Sequence, residues 1–262
     1  MEMLRPFGGV NENAGALTAS SSAALLTSHA SSANTKGSYT QLIASTARAT
    51  EGMILQIRGF NTERFLIDIA IGAAASEIVV VPNLACAVVS NSCNLAYIPL
   101  AIASGVRVAA RVQSNALSNQ IQLQLFLIHG LPGLHRATTY GADTANSRGT
   151  LATASASLNT KGNYAELTAS TTNPIKILYV CSSPGTTTAG SVLCDIAVGA
   201  AGSERVIISN LYIRHATANR TNDIGGAVGP FPVDIPAGTR LSACIQSNVA
   251  SVESGVSILG LD

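Results

Sequence analysis

Two carboxylates recur in matched contexts. Asp68 and Asp195 each open the phrase Asp-Ile-Ala-x-Gly-Ala-Ala, and Glu77 and Glu204 each close it after a serine. Paired acids are the equipment of glycoside hydrolysis, one donating a proton while the other attacks or activates water. The setting argues against that chemistry. In both places the acids flank a single glycine-containing turn, aromatic residues are only 4% of the chain, and there is no tryptophan. Sugar sites stack their rings on aromatic faces. The expected roles are structural: the aspartates accept hydrogen bonds from turn amides, and the glutamates face solvent or pair with Arg107 and Arg240. Lys36 and Lys161, which also recur after Asn-Thr, join this set of fold-keeping residues.

Other reactive side chains form no constellation. The histidines His29, His129, His135 and His215 are scattered, with no His-x-His or His-x-x-x-His pair to hold a metal. Serine is abundant, but no Gly-x-Ser-x-Gly elbow, phosphate-binding glycine loop or dinucleotide fingerprint is present. No catalytic residue, cofactor or metal is expected. The five cysteines, Cys86, Cys93, Cys181, Cys194 and Cys244, are an odd number in a large chain, which is no disulfide framework. Cys194 aligns with Ile67 and reads as a small buried hydrophobe. Cys181 and Cys244 align with Arg58 and Arg111, on positions expected to face outward. They are the candidates for a cross-strand or inter-subunit disulfide, with inert thiols as the other reading.

These residues must be positioned by elements that are themselves written twice. Asn34-Thr-Lys-Gly-Ser-Tyr39 returns as Asn159-Thr-Lys-Gly-Asn-Tyr164, and Arg107-Val-Ala-Ala-Arg-Val-Gln-Ser-Asn115 returns as Arg240-Leu-Ser-Ala-Cys-Ile-Gln-Ser-Asn248. The stretches 68–84 and 195–211 agree at 11 of 17 positions. The blocks keep their order, so a unit of about 130 residues has been duplicated and fused. This gives two expected domains, 1–131 and 132–262, bridged by the short segment 131–141.

The periodicity within each copy is that of strands. Val106, Val108, Ala110 and Val112 fall on one side and Arg107, Ala109, Arg111 and Gln113 on the other, a period of two. Thr239, Leu241, Ala243 and Ile245 repeat the inward set, and Ile121-Gln-Leu-Gln-Leu125 alternates in the same way. Gly72 and Gly199 supply a positive φ between strands, and Pro99 and Pro232 read as punctuation before a strand. No stretch reads as an amphipathic helix; residues 17–30 read as extended strand or loop. Seven or eight short strands per copy predict an all-β fold: two tandem antiparallel β-sandwiches, of jelly-roll or Greek-key type.

The copies differ most in two loops, 58–68 against 181–195 and 84–98 against 211–231. The second of these, read as a loop from Tyr212 to Pro230, holds Arg214, His215, Arg220 and Asp223. Divergence after duplication concentrates where the scaffold leaves freedom, so Tyr212, Arg214, His215, Arg220 and Asp223 are the candidate partner contacts. Drift in a solvent loop is the alternative.

Composition narrows the function further. Charged residues are 11% of the chain and the net charge is +1, against about a quarter charged in ordinary proteins. A neutral surface rich in Ala, Ser, Thr, Asn and Gly is poorly defended against association, so a homo-oligomer, in the simplest case a trimer, is expected. No basic stripe exists to bind nucleic acid. The apolar stretches are too short for a membrane span, and the first residues lack a signal-peptide layout. A soluble protein made in the cytoplasm is expected.

The repeated phrases Asp-Ile-Ala-x-Gly-Ala-Ala-x-Ser-Glu and Pro232-Val-Asp-Ile-Pro-Ala-Gly-Thr-Arg-Leu241, the latter echoed at 98–107, resemble structural proteins of tailed bacteriophages. The resemblance is one of style across most of the chain and carries over no functional residue. It implies a non-enzymatic virion component, a jelly-roll module of the capsid surface, collar, tail or fibre. Three functions follow as expectations. The first is a capsid decoration (cement) protein that self-associates and binds the major capsid protein. The second is a tail, collar or fibre component contacting the host receptor, and the third is a carbohydrate-binding module, which the absence of tryptophan weakens.

Overall fold

The computed structural model describes residues 12–14, 24–60, 63–88, 93–128, 136–185, 190–215 and 227–262. All regular structure among them is β. The first copy contributes β1 (Glu12–Ala14), β2 (Ala24–Thr27), β3 (Thr40–Ile43), β4 (Gly52–Gly59), β5 (Glu63–Ile71), β6 (Ile78–Val88), β7 (Cys93–Ile98), β8 (Val108–Ser114) and β9 (Gln120–Ile128). The second contributes β10 (Ala137–Tyr140), β11 (Ala142–Asp143), β12 (Arg148–Thr153), β13 (Ala165–Thr168), β14 (Ile175–Pro184), β15 (Gly190–Val198), β16 (Arg205–His215), β17 (Ala227–Ile235), β18 (Leu241–Ser247) and β19 (Glu253–Leu261).

Each copy forms two antiparallel sheets. In the first, β1 and β2 pair with β9 at the edge of the order β9-β4-β7 (sheet I), facing the order β3-β8-β5-β6 (sheet II). In the second, β10 and β12 pair with β19 at the edge of the order β19-β14-β17 (sheet III), facing the order β13-β18-β15-β16 (sheet IV). The interleaving of early and late strands in both sheets is that of the eight-stranded jelly roll. The chain is two tandem jelly rolls.

The alternation read from the sequence becomes the sandwich interior. Val108, Ala110 and Val112 of β8 and Ile67 and Ile69 of β5 are fully buried in the first core, opposite Leu55, Leu123, Leu125 and Leu127 of sheet I. Ile196, Leu241, Ala243, Ile245, Val256 and Ile258 fill the same layer in the second. Backbone exceptions recur as well: Asn34 and Asn159, Asn83 and Asn210, Ser118 and Ser251, and Gly72 and Gly199 all have left-handed φ. Gly37 and Gly162 recur for a different reason. A Cβ at either would stand about 2 Å (2.1 and 1.9 Å) from the carbonyl oxygen of Thr27 or Thr153.

The two jelly rolls stack sheet on sheet. The outer face of sheet II meets the outer face of sheet III, so the layers run I, II, III, IV. Tyr179, Cys181, Leu259 and Leu261 point away from the second core and belong instead to the cluster that contains the first. Against them lie Leu66, Ala85 and Ala87, all buried. Polar contacts frame this junction. The Gln113 amide donates to Thr144 O at 2.7 Å and to Ser147 Oγ at 3.1 Å, Arg64 donates to Pro184 O at 3.4 Å, and the Thr139 hydroxyl donates to Pro82 O.

Three expectations are corrected. Tyr212, Arg214 and His215 are not in a loop: β16 pairs with β15 as far as Gly190↔His215, and Pro230 lies in β17. Pro232 stands inside β17 opposite Ile177, not ahead of a strand; β17 is an edge strand, where a missing N–H costs no ladder bond. Cys181 and Cys244 do not face solvent. Both are free thiols, at 0% and 1% exposure. Register also places Cys181 differently. Val180 lies opposite Ile258 as Leu55 lies opposite Leu125, so Cys181 occupies the place of Gln56, and Ser183 that of Arg58.

Candidate functional site

The recurring charged residues form two clusters per copy, and both hold backbone in place. β5 presents Asp68 on the outer face of sheet II. Its Oδ1 accepts from Lys36 Nζ at 2.8 Å and from the amide of Asn83 at 2.9 Å, and its Oδ2 accepts from Arg111 Nε at 2.9 Å. Asn83 sits in a bulge of β6, where the register slips between Ile67↔Leu84 and Ile69↔Val81. A bulge leaves an amide off the ladder, and the carboxylate takes it. Burial lowers the pKa of Lys36, and Asp68 partly opposes that effect. The Arg111 guanidinium lies 4.5 Å from the centroid of the Tyr39 ring, a cation–π distance.

The second copy keeps this arrangement with one change. Asp195 Oδ1 accepts from Lys161 Nζ at 2.7 Å and from the Asn210 amide at 2.6 Å. Where Arg111 stood, the Cys244 thiol lies 4.0 Å from Asp195 Oδ2. Tyr164, in the place of Tyr39, has its phenol pushed up to about 12, first by burial and then by its hydrogen bond to Cys244. Burial also raises the Cys244 thiol.

The other cluster ties the turn after β5, or after β15, to the neighbouring strands. Arg107 reaches Glu77 at 3.0 Å, Gly72 O at 3.2 Å and Gln41 at 3.0 Å. Arg240 reaches Glu204 at 3.1 Å, Gly199 O at 3.1 Å and Glu166 at 2.8 Å. The Glu204 carboxyl is held below its ordinary range, first by its own backbone amide and also by Arg240. The structural roles expected for these acids and lysines are the ones the geometry shows.

One recurring pair carries no charge and escaped the sequence reading. Thr46 Oγ1 donates to Ala103 O at 2.8 Å and accepts from the Val106 amide at 3.0 Å. Thr171 Oγ1 does the same with Pro236 O at 3.0 Å and the Thr239 amide at 3.1 Å. Its signal was the repeated tripeptide Ala44-Ser-Thr46 and Ala169-Ser-Thr171.

The candidate partner residues do not all come together. Tyr212 is 59% exposed on the outer face of sheet IV, its hydroxyl 3.4 Å from Ser191 Oγ. Arg214 and His215 end β16, while Arg220 and Asp223 lie outside the described residues. β15 begins and β16 ends at one end of sheet IV, with Gly190 opposite His215. The cysteine pair is not brought together for a disulfide. Cys181 lies at the junction, where backbone groups of Ala85 and Leu259 hydrogen-bond its thiol, and burial pushes that thiol up to about 12. Cys244 lies in sheet IV beside Asp195. Cys194 is in the second core, as expected of a small hydrophobe, and burial pushes it up to about 12 as well. Among the described residues no group of three or more His, Cys, Asp or Glu could hold a metal ion.

No protein-family model matches the chain, and no curated protein matches it. Among solved structures it is similar to a chain described as "The Triple Jelly Roll Fold and Turret Assembly in an Archaeal Virus", with a TM-score of 0.26 and 10% identity over 96% of this chain and 58% of that one. It is also similar to tripeptidyl peptidase 2, with a TM-score of 0.29 and 8% identity over 95% of this chain and 23% of that one. This chain thus spans less than two thirds of either protein.

Proposed function

We propose that this chain is a non-enzymatic structural protein of a virion, a capsid decoration protein that self-associates and binds the major capsid protein of the shell. The observation that supports the reading most is the use to which the recurring polar groups are put. The repeated Asp, Glu, Lys, Arg and Thr side chains are occupied in holding bulges and turns, which leaves two sandwiches whose outer-face charges are largely paired with one another. Such an object is fitted to present surfaces to neighbours. The repeated phrases that resemble tailed-phage structural proteins point the same way. No cofactor, nucleic acid or membrane partner enters the proposal.

A second reading has its own observation. Gly190 and His215, the described ends of β15 and β16 next to the two connections that diverged after duplication, lie opposite one another, on the sheet that carries exposed Tyr212, which suits a tail, collar or fibre component that contacts a receptor. Light scattering of the purified protein, alone and mixed with purified shells that lack it, separates the two. A closed oligomer that adds to the shells supports decoration. A species that ignores the shells overturns it in favour of the second reading.

A further inference from the structure

We propose that the outer face of sheet IV is a docking surface for a second copy of this chain, which presents the outer face of its sheet I. This deepens the assembly reading above and rests on it. The junction inside the chain joins two different faces: II of the first jelly roll and III of the second. Sheet IV is the duplicate of II, and sheet I is the duplicate of III. Among the described residues each chain therefore ends with one face of each kind that no other sheet covers, IV at one end of the stack and I at the other. A contact IV-to-I between chains continues the same stack. It is heterologous, so it closes into a ring if the rotation permits and otherwise runs on as a filament.

The residues on both faces fit a contact between chains that fold separately. On sheet II the junction is lined by Leu66, Ala85 and Ala87; register puts Leu193, Tyr212 and Arg214 at those positions in sheet IV. Leu193 is only half-buried and Tyr212 is exposed. On sheet III the junction is lined by Tyr179, Cys181, Ser257 and Leu259; the corresponding residues of sheet I are Ile54, Gln56, Gln124 and Phe126, half-buried among the described residues. Gln56 and Gln124 lie directly opposite one another across β4 and β9, with Gln122 beside them. The permanent junction sets Leu66 and two alanines against Tyr179, Cys181 and Leu259, while the free pair is Tyr212 and Leu193 on one side and amides flanked by Ile54, Phe126 and Arg58 on the other. Tyrosine is enriched at the centres of interfaces between separately folded proteins. The Tyr212 hydroxyl and the Gln246 amide can exchange hydrogen bonds with the glutamine row.

The test uses a property that only a heterologous contact has. Tyr212→Asp damages face IV and leaves face I intact; Gln124→Arg does the reverse. Each variant alone is expected to run at the mass of one chain in light scattering at micromolar concentration, where the wild type runs as a multiple. Mixed in equal amounts they are expected to give a two-chain species and nothing larger, because one good face of each kind remains. If Tyr212→Asp lowers the melting temperature, Ser191→Arg, at another exposed position on face IV, takes its place. A single-chain wild type overturns the proposal, as do variants that keep the wild-type mass or a mixture that stays single-chain. Shell binding is scored separately. An oligomer that these variants dismantle but that ignores shells upholds the joint and overturns the decoration reading. One that binds shells and resists the variants does the opposite.

Discussion

Strands β9 and β19 occupy the same place in their jelly rolls and read differently. Gln120–Ile128 is Gln-Ile-Gln-Leu-Gln-Leu-Phe-Leu-Ile, buried at alternate positions along most of its length. Glu253–Leu261 is Glu-Ser-Gly-Val-Ser-Ile-Leu-Gly-Leu and is buried at every position after the first. The inward residues do the same job in both. The outward residues differ because β9 faces outward from the stack and β19 faces the other domain. A strand buried on both faces loses its alternation and reads as a continuous apolar run. The duplication preserved the sandwich and, apart from Arg111–Asp68, the ion pairs of its recurring residues. The junction was written into the other half of the positions, with Cys181, Ser257 and Leu259 standing where the first copy has Gln56, Gln124 and Phe126.

The largest expected effect contrasts the two carboxylates. Asp68→Ala leaves Lys36 and Arg111 without their partner and the Asn83 amide without its acceptor, and should cost about 3–5 kcal/mol, as removing one member of a buried ion pair does. Asp195→Ala strands one cation, Lys161, with the Asn210 amide and the weakly bonded Cys244 thiol, and its lysine is more exposed than Lys36. It should cost about half as much. Denaturant unfolding of the two variants measures the difference. Equal losses would mean that Arg111 adds nothing to the first cluster.

The junction comes next. Tyr179→Ala removes one of the largest fully buried side chains from between sheets II and III, with an expected loss of about 3–4 kcal/mol. Ile54→Ala, at the matching position on the free face, should cost nearer 1 kcal/mol, in line with partial burial. A weakened junction should also separate one unfolding transition into two as the jelly rolls uncouple. Alkali probes the same region. Burial pushes the thiols of Cys86 and Cys181 up to about 12. An unfolded thiol ionises near its ordinary value of 9.0 while the folded ones stay protonated. Stability is therefore unaffected below pH 9 and falls as the pH rises from 9 towards 12. Cys181→Ala should shrink that alkaline loss, which pH-dependent melting would show.

Much of this was legible in the sequence, for physical reasons. Period-two alternation in 106–113 and 121–125 predicted strands with one face buried, and strict repetition of Asp68, Glu77, Lys36 and Arg107 marked groups held by backbone geometry rather than by a substrate. The junction was not legible. Gln113 was read as outward, which it is, but it is buried at 2% because the second domain lies over it, whereas its duplicate Gln246 is half-buried. Sequence alternation reports the sandwich interior and carries no information about what covers its back. Cys181 was paired with Arg58 by counting along a loop of unequal length, whereas hydrogen-bond register pairs it with Gln56. Tyr212 was assigned to a loop because its strand outruns the matching turn signals. Tyr212 is large, aromatic and exposed where its counterpart Ala85 is covered.

The uncharged pair Thr46 and Thr171 offers a control in which the halves should agree. Thr46→Ala and Thr171→Ala each remove one donor and one acceptor from a tight turn, at an expected cost of about 1–3 kcal/mol apiece. The two losses should match closely, because the partners and distances match. A large disparity would show that the halves differ in rigidity beyond the named substitutions.

The smallest effect sharpens the comparison most. Cys244→Arg writes the residue of the first copy back into the second. The new guanidinium would lie beside Asp195 Oδ2 and over Tyr164, as Arg111 lies beside Asp68 Oδ2 and over Tyr39. Arg111 is partly exposed, with 31% side-chain exposure, so the gain in stability should be only about 0–1 kcal/mol. The informative readout is the coupling. In the Cys244→Arg background, Asp195→Ala should become as costly as Asp68→Ala, because two cations would again be stranded. The Tyr164 phenol should also titrate below its present value of about 12, since a cation over the ring favours the phenolate. If Asp195→Ala keeps its smaller cost in that background, the clusters differ through their surroundings and not through the single exchange of arginine for cysteine.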